Sequence, residues 1–173
     1  MDLEIVKSKI RSVEDWPKQG VVFRDITPVL EDAEYFKFVI DELAKLTEGK
    51  QIDKVVGIDA RGFIIASALA YKLGVGLAIV RKKGKLPPKT IGESYNLEYA
   101  TNCLEMRADT IKPNEKVIIV DDVLATGGTM SATVNLIKKL KGEIAGILFL
   151  IELIDLKGRE KLKKEEVGSL IKY

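Results

Sequence analysis

Apolar residues recur along this chain with two different periods. Leu3, Val6, Ile10 and Val13 form a short stripe at helical spacing. Phe36, Val39, Ile40, Leu43 and Leu46 form a stronger one, with Asp32 ahead of it as a cap. The run Lys54 to Asp59 predicts a strand, and Phe63 to Leu73 a helix apolar nearly all round and therefore buried. Further strands are predicted at Gly76–Val80, Lys116–Val120 and Ile144–Leu153. Strands separated by helical patterns imply right-handed βαβ units and a parallel sheet. The segment Arg81 to Arg107 breaks the pattern. It is polar, carries Gly84, Pro87, Pro88 and Gly92, and shows no helical stripe. It is too long for a simple connection, and long loops of that sort serve as lids or binding loops.

The chemistry is densest at Val117–Met130, V-I-I-V-D-D-V-L-A-T-G-G-T-M. A buried β-branched strand runs into two carboxylates, Asp121 and Asp122. A Thr126-Gly127-Gly128-Thr129 turn follows, then a helix with Met130, Thr133, Val134, Ile137 and Leu140 on one side. A glycine turn at a helix N-terminus lets backbone N–H groups and hydroxyls close on a phosphate, which the helix dipole also favours. The carboxylates upstream can accept hydrogen bonds from sugar hydroxyls or face a divalent cation. Together these describe a site for a ribose 5-phosphate, in which a side chain on Gly127 would fill the phosphate position. A second strand-to-helix loop, Gly57 to Phe63, places small Ala60 and Gly62 beside Asp59 and the cation of Arg61. Arg81, Lys82 and Lys85 follow the next strand, at the end where ligands of open α/β sheets gather.

Composition narrows the class. The 173 residues suit one domain, and a net charge of +2 argues against nucleic acid. The single cysteine, Cys103, allows no intramolecular disulfide and points to a reducing cytoplasm. The N-terminal M-D-L-E-I-V-K is charged and amphipathic, unlike a signal peptide, and no apolar run reaches membrane length. Histidine is absent, so any general acid or base is a carboxylate, a tyrosine, a backbone group or the substrate.

The D-D-V-L-A-T-G-G-T segment resembles the phosphoribosyl-pyrophosphate (PRPP) loop of the type I phosphoribosyltransferases. With G-V-V-F-R-D-I-T-P, G-I-D-A-R-G-F, R-K-K-G-K-L-P, S-Y-N-L-E-Y and L-K-G-R-E-K-L, nearly the whole chain is similar to the adenine phosphoribosyltransferases. The resemblance implies a single α/β domain over 1–173: a parallel sheet flanked by helices, a small hood over 1–30 that recognises the base, and a flexible lid hairpin over 81–107. It implies transfer of adenine onto PRPP, giving AMP and pyrophosphate, with Mg²⁺ held mainly by substrate and water, in a cytoplasmic homodimer that contacts neither membrane nor nucleic acid.

Roles follow from the same resemblance. Asp121 and Asp122 hold the ribose hydroxyls, and Ala125 to Thr129 the 5′-phosphate. Asp59, Ala60, Arg61, Arg81, Lys82 and Lys85 serve the pyrophosphate. Hypoxanthine-type enzymes carry an aspartate where this chain has Ala125, so base recognition shifts to Val22, Phe23 and Arg24. Phe23 stacks on the purine, while backbone groups of Val22 and Arg24 pair with its 6-amino edge, and Leu153 closes the other face. Glu98 inherits the acid/base role, with Tyr99 beside it. Two rivals are an enzyme for another base, such as xanthine, and a PRPP-sensing regulator. The latter expects an added DNA-binding domain and a basic face, and neither is visible.

Overall fold

The structure, a computed structural model, describes residues 1–97 and 100–173. The chain divides into two compact units, Met1–Glu42 and Leu43–Tyr173.

In the first unit, α1 (Leu3–Lys9) is capped by the Asp2 side chain, which accepts from the backbone N–H of Ile5 at 2.9 Å. The helix stops at Lys9, short of the predicted stripe. Val13 instead belongs to β1 (Arg11–Val13), which pairs antiparallel with β2 (Phe23–Asp25) so that Val13 lies opposite Phe23. Helix α2 (Thr27–Glu31) follows, with Pro28 in its first turn, where the missing N–H costs nothing. Asp32 then accepts from the N–H groups of Glu34 and Tyr35 and starts α3 (Ala33–Lys45), as its sequence position predicts.

The second unit is built on a seven-stranded sheet of order β5-β6-β4-β3-β7-β8-β9. Its parallel part consists of β3 (Lys54–Ile58), β4 (Gly76–Lys82), β7 (Lys116–Leu124), β8 (Glu143–Glu152) and β9 (Val167–Lys172). Their side chains are apolar on both faces; Val55, Val56, Ile118, Ile119, Phe149 and Leu150 are almost wholly buried. The sheet is mixed rather than purely parallel. The Arg81–Arg107 segment forms β5 (Thr90–Leu97) and β6 (Ala100–Arg107), an antiparallel hairpin joined to the edge of β4. The final strand, β9, has too weak an alternation to be read from sequence.

Helix α4 (Arg61–Leu73) buries Ile65, Ala66 and Leu69 but leaves Tyr71 91% exposed, so it is amphipathic rather than buried all round. Helix α5 (Gly128–Lys139) buries the predicted Met130, Thr133, Val134 and Ile137. No helix among the described residues is long and apolar enough to cross a membrane.

Candidate active site

Because β3, β4, β7 and β8 are parallel, their C-terminal ends share one edge of the sheet. That edge receives Asp59, Arg81, Asp121, Asp122, Ala125 and Leu153 from separate stretches of sequence. Asp121 and Asp122 lie within β7 rather than after it, since the strand continues to Leu124, and Asp121 pairs in register with Phe149. Asp122 is only 6% exposed.

Burial dominates the electrostatics of this pair. Loss of water raises the Asp121 carboxyl well above the ordinary aspartate range, and the charge of Asp122 raises it further. Asp122 is raised as well, again by burial, although Arg61 partly offsets this. Arg61 Nε lies 2.6 Å from Asp122 Oδ2. That contact is ionic, since no aligned hydrogen bond reaches this buried oxygen. The N–H of Asp122 donates to Asp121 Oδ1 at 2.9 Å. The sequence presents Arg61 as a fixed cation for pyrophosphate; in the fold its Nε is held against the neighbouring carboxylate. Gly62 is explained by the same carboxylate pair. A Cβ there would sit 2.6 Å from Asp121 Oδ1, so the glycine makes room for the carboxylate. The Asp59–Ala60 peptide just before it is cis.

Beside this loop, Arg81 Nε donates to Asp59 Oδ2 at 2.8 Å and its Nη1 to the Lys85 carbonyl at 3.2 Å. The side chain thereby folds the R-K-K-G-K loop back on itself. Lys82 is exposed beside it.

The Ala125–Thr129 turn closes the strand-to-helix junction. Gly127 adopts a left-handed conformation (φ 75°) and caps α5 without any side-chain hydrogen bond to the helix. The first-turn N–H groups therefore have no side-chain acceptor from the cap, which suits an anion at the positive end of the helix dipole. A cavity of about 90 Å³, lined by Asp121, Val123, Leu124, the turn itself, Met130 and Phe149, opens there. A side chain on Gly127 would not fill it, contrary to expectation. Its Cβ would point at the Gly158 carbonyl oxygen, 2.5 Å away.

Tyr95, from β5, completes this face. Thr129 Oγ1 donates to its hydroxyl at 3.1 Å, and its ring would lie 3.3 Å from a Cβ on Gly128. Leu153 follows β8, and its N–H donates to the Leu124 carbonyl at 2.9 Å. Glu98 and Tyr99 lie outside the described residues. Tyr95 and Gly158 are not singled out by the sequence; the glycine in L-K-G-R is the available signal for the latter.

In the first unit, Phe23 meets Trp16 edge to face at 4.4 Å between ring centroids. These two rings, with Val13 and Asp25, line an open cavity of about 220 Å³. Val22 is exposed just before β2, and an Arg24 guanidinium nitrogen donates to the Ser12 hydroxyl.

The phosphoribosyl transferase domain family matches residues 29–170. The adenine phosphoribosyltransferase of Geotalea daltonii is 53% identical over 171 residues, spanning 99% of this chain and 100% of that protein. The crystal structure of the Thermoanaerobacter pseudethanolicus adenine phosphoribosyltransferase superposes with a TM-score of 0.97 at 48% identity, over 99% of each chain. The Giardia lamblia APRTase complexed with 9-deazaadenine gives a TM-score of 0.95 at 33% identity, over 100% of this chain and 98% of that one.

Proposed function

From the premise that the chain belongs to the adenine phosphoribosyltransferases, we propose that the sheet edge around Asp121–Thr129 is its PRPP site and that the Val22–Arg24 segment reads the base. The reaction is that of purine salvage: adenine and PRPP give AMP and pyrophosphate. N9 of adenine attacks the anomeric carbon as the C–O bond to pyrophosphate breaks, and the N9 proton is lost. Such a reaction needs placement, charge stabilisation and exclusion of water more than covalent chemistry.

The observation that carries the reading is the cavity at the N-terminus of α5, where the glycine cap offers no side-chain acceptor, walled by Asp121. The turn backbone and the Thr126 and Thr129 hydroxyls hold the 5′-phosphate. Asp121 and Asp122 accept from the ribose hydroxyls. Arg61, anchored on Asp122, joins the ribose side to the pyrophosphate side, where the Asp59–Ala60 backbone, Arg81, Lys82 and Lys85 contribute.

Asp121 and Asp122, two adjacent carboxylates at the ribose position, suit Mg²⁺ that is carried mainly on substrate oxygens and water, since this ion takes few protein ligands and keeps its waters. When bound, it neutralises charge on the departing pyrophosphate.

Phe23 stacks on adenine. The Val22 and Arg24 backbone offers a carbonyl to the 6-amino group and an N–H to a ring nitrogen. Ala125 supplies no acid at N7, which leaves selection to that backbone. Glu98 receives the N9 proton, with Tyr99 beside it, and the 81–107 hairpin excludes water. The enzyme works as a homodimer in the cytoplasm. Incubation with PRPP, Mg²⁺ and each purine in turn tests the assignment: adenine alone should be consumed at an appreciable rate, and preferential use of hypoxanthine or xanthine would overturn it.

A further inference from the structure

The L-K-G-R-E-K-L segment takes part in none of these steps, yet it packs against the phosphate turn. Gly158 is buried, and a Cβ on it would run into the Ala125 carbonyl oxygen, just as one on Gly127 would meet the Gly158 carbonyl. Turn and segment thus approach backbone to backbone, with the Leu124 side chain packed beside Gly158. Lys157, immediately before, sits at φ 52°, a region a lysine does not favour, so local preference alone does not hold the segment in place.

Arg159 holds it. Its Nε and Nη2 donate to the two oxygens of Glu152 at 2.5 and 2.7 Å. Its Nη1 donates to the Val167 carbonyl at 2.8 Å, and Nη2 also reaches Ser169 Oγ at 3.2 Å. Ser169 Oγ in turn donates to Glu152 Oε2 at 2.5 Å. Glu152 is 6% exposed and pairs in register with Leu124, the last residue of β7. The bidentate fork therefore ties Gly158 to the strand pair from which the turn emerges.

We propose that Arg159 is a positioning residue for PRPP: its fork on Glu152 seats Gly158 against the Ala125–Thr129 turn and so sets affinity for the 5′-phosphate. This rests on the turn being the phosphate site. The phosphate is held alike before and during transfer, so loosening its seat raises KM for PRPP and leaves kcat unchanged.

The test is steady-state kinetics of Arg159→Lys, which keeps the charge but loses the planar fork, and of Glu152→Gln. The expected result is a roughly tenfold rise in KM for PRPP, the scale of one weakened charge-assisted hydrogen bond. KM for adenine and kcat should hold, and calorimetric PRPP affinity should fall in parallel. Unchanged PRPP affinity in folded variants overturns the proposal, whatever their melting temperature. So does a common loss in kcat and in both KM values. Gly127→Val, run alongside, separates the two readings. If it keeps PRPP affinity, the phosphate site itself is wrong. If it loses affinity while Arg159→Lys does not, only the role of Arg159 fails.

Discussion

Replacing Gly127 by alanine imposes two costs that a second glycine can separate. Gly127 has φ +75°, and a Cβ there would lie 2.5 Å from the Gly158 carbonyl oxygen and 3.2 Å from its Cα. A left-handed conformation costs an L-residue about 1–2 kcal/mol. The obstructing atoms are backbone and cannot rotate aside, so overpacking adds about 1–3 kcal/mol. Gly74, which ends α4 at φ +68°, has nothing within 4 Å of its would-be Cβ. Gly74→Ala therefore carries the conformational cost alone. Both substitutions restrict the unfolded chain equally, so that contribution cancels in the comparison. In urea unfolding, Gly127→Ala should be less stable than Gly74→Ala by about 1–3 kcal/mol. In calorimetry, only Gly127→Ala should lose PRPP affinity. Equal destabilisation of the two variants would refute the backbone contact, and unaltered PRPP affinity in Gly127→Ala would refute its link to the phosphate site.

Other outcomes are equally open to measurement. Asp121→Asn should nearly abolish transfer while stabilising the ligand-free fold by about 1–3 kcal/mol, because burial and the charge of Asp122 both disfavour a carboxylate there. Because burial raises the folded-state pKa of Asp121, wild-type stability should fall as pH climbs from about 4 through that raised value, while the Asp121→Asn variant, with no carboxyl to titrate there, lacks this loss. A melting-temperature difference between the two that does not change with pH would contradict this. Adenine should be used at least ~10³-fold more efficiently than hypoxanthine, since a 6-oxo purine sets its carbonyl against the backbone carbonyl and its N1–H against the backbone N–H; comparable kcat/KM values would sink that assignment. Glu98→Gln should lower kcat by roughly 10²-fold with little change in PRPP affinity. A near-normal kcat would mean that the proton leaves by solvent or pyrophosphate.

Much of the fold and site is legible in sequence because the information is local. The Val117–Val120 run, the carboxylates and the glycine turn are contiguous, so β7, the turn and α5 follow from one stretch. The Asp32 cap and the strand beginning at Lys54 are readable for the same reason. Long-range packing is not. The reason for Gly62 is Asp121, far along the chain, and the reason for Gly127 is Gly158; neither partner is visible in a local window. Arg61 reads as a cation for a ligand, and only the fold shows that Asp122 anchors it. The Arg81–Arg107 segment, with its glycines and prolines, masks a hairpin whose partner strand only the structure supplies. Tyr71 shows the converse: an apolar run around α4 suggests burial, yet one side of the helix stands exposed.

The absence of a side chain at Gly62 has a consequence for the thermodynamics of binding. With Asp121 nested where a Cβ would be, the start of α4 and the middle of β7 are locked at van der Waals distance before any ligand arrives. Little conformational entropy is then left to lose on that side when a sugar phosphate docks, so more of the contact energy appears as affinity. The same lock makes the two loops one mechanical piece. Any residue larger than glycine at position 62 displaces the ribose carboxylate as well as its own loop, and a variant selected for a new leaving group would change its grip on the sugar too.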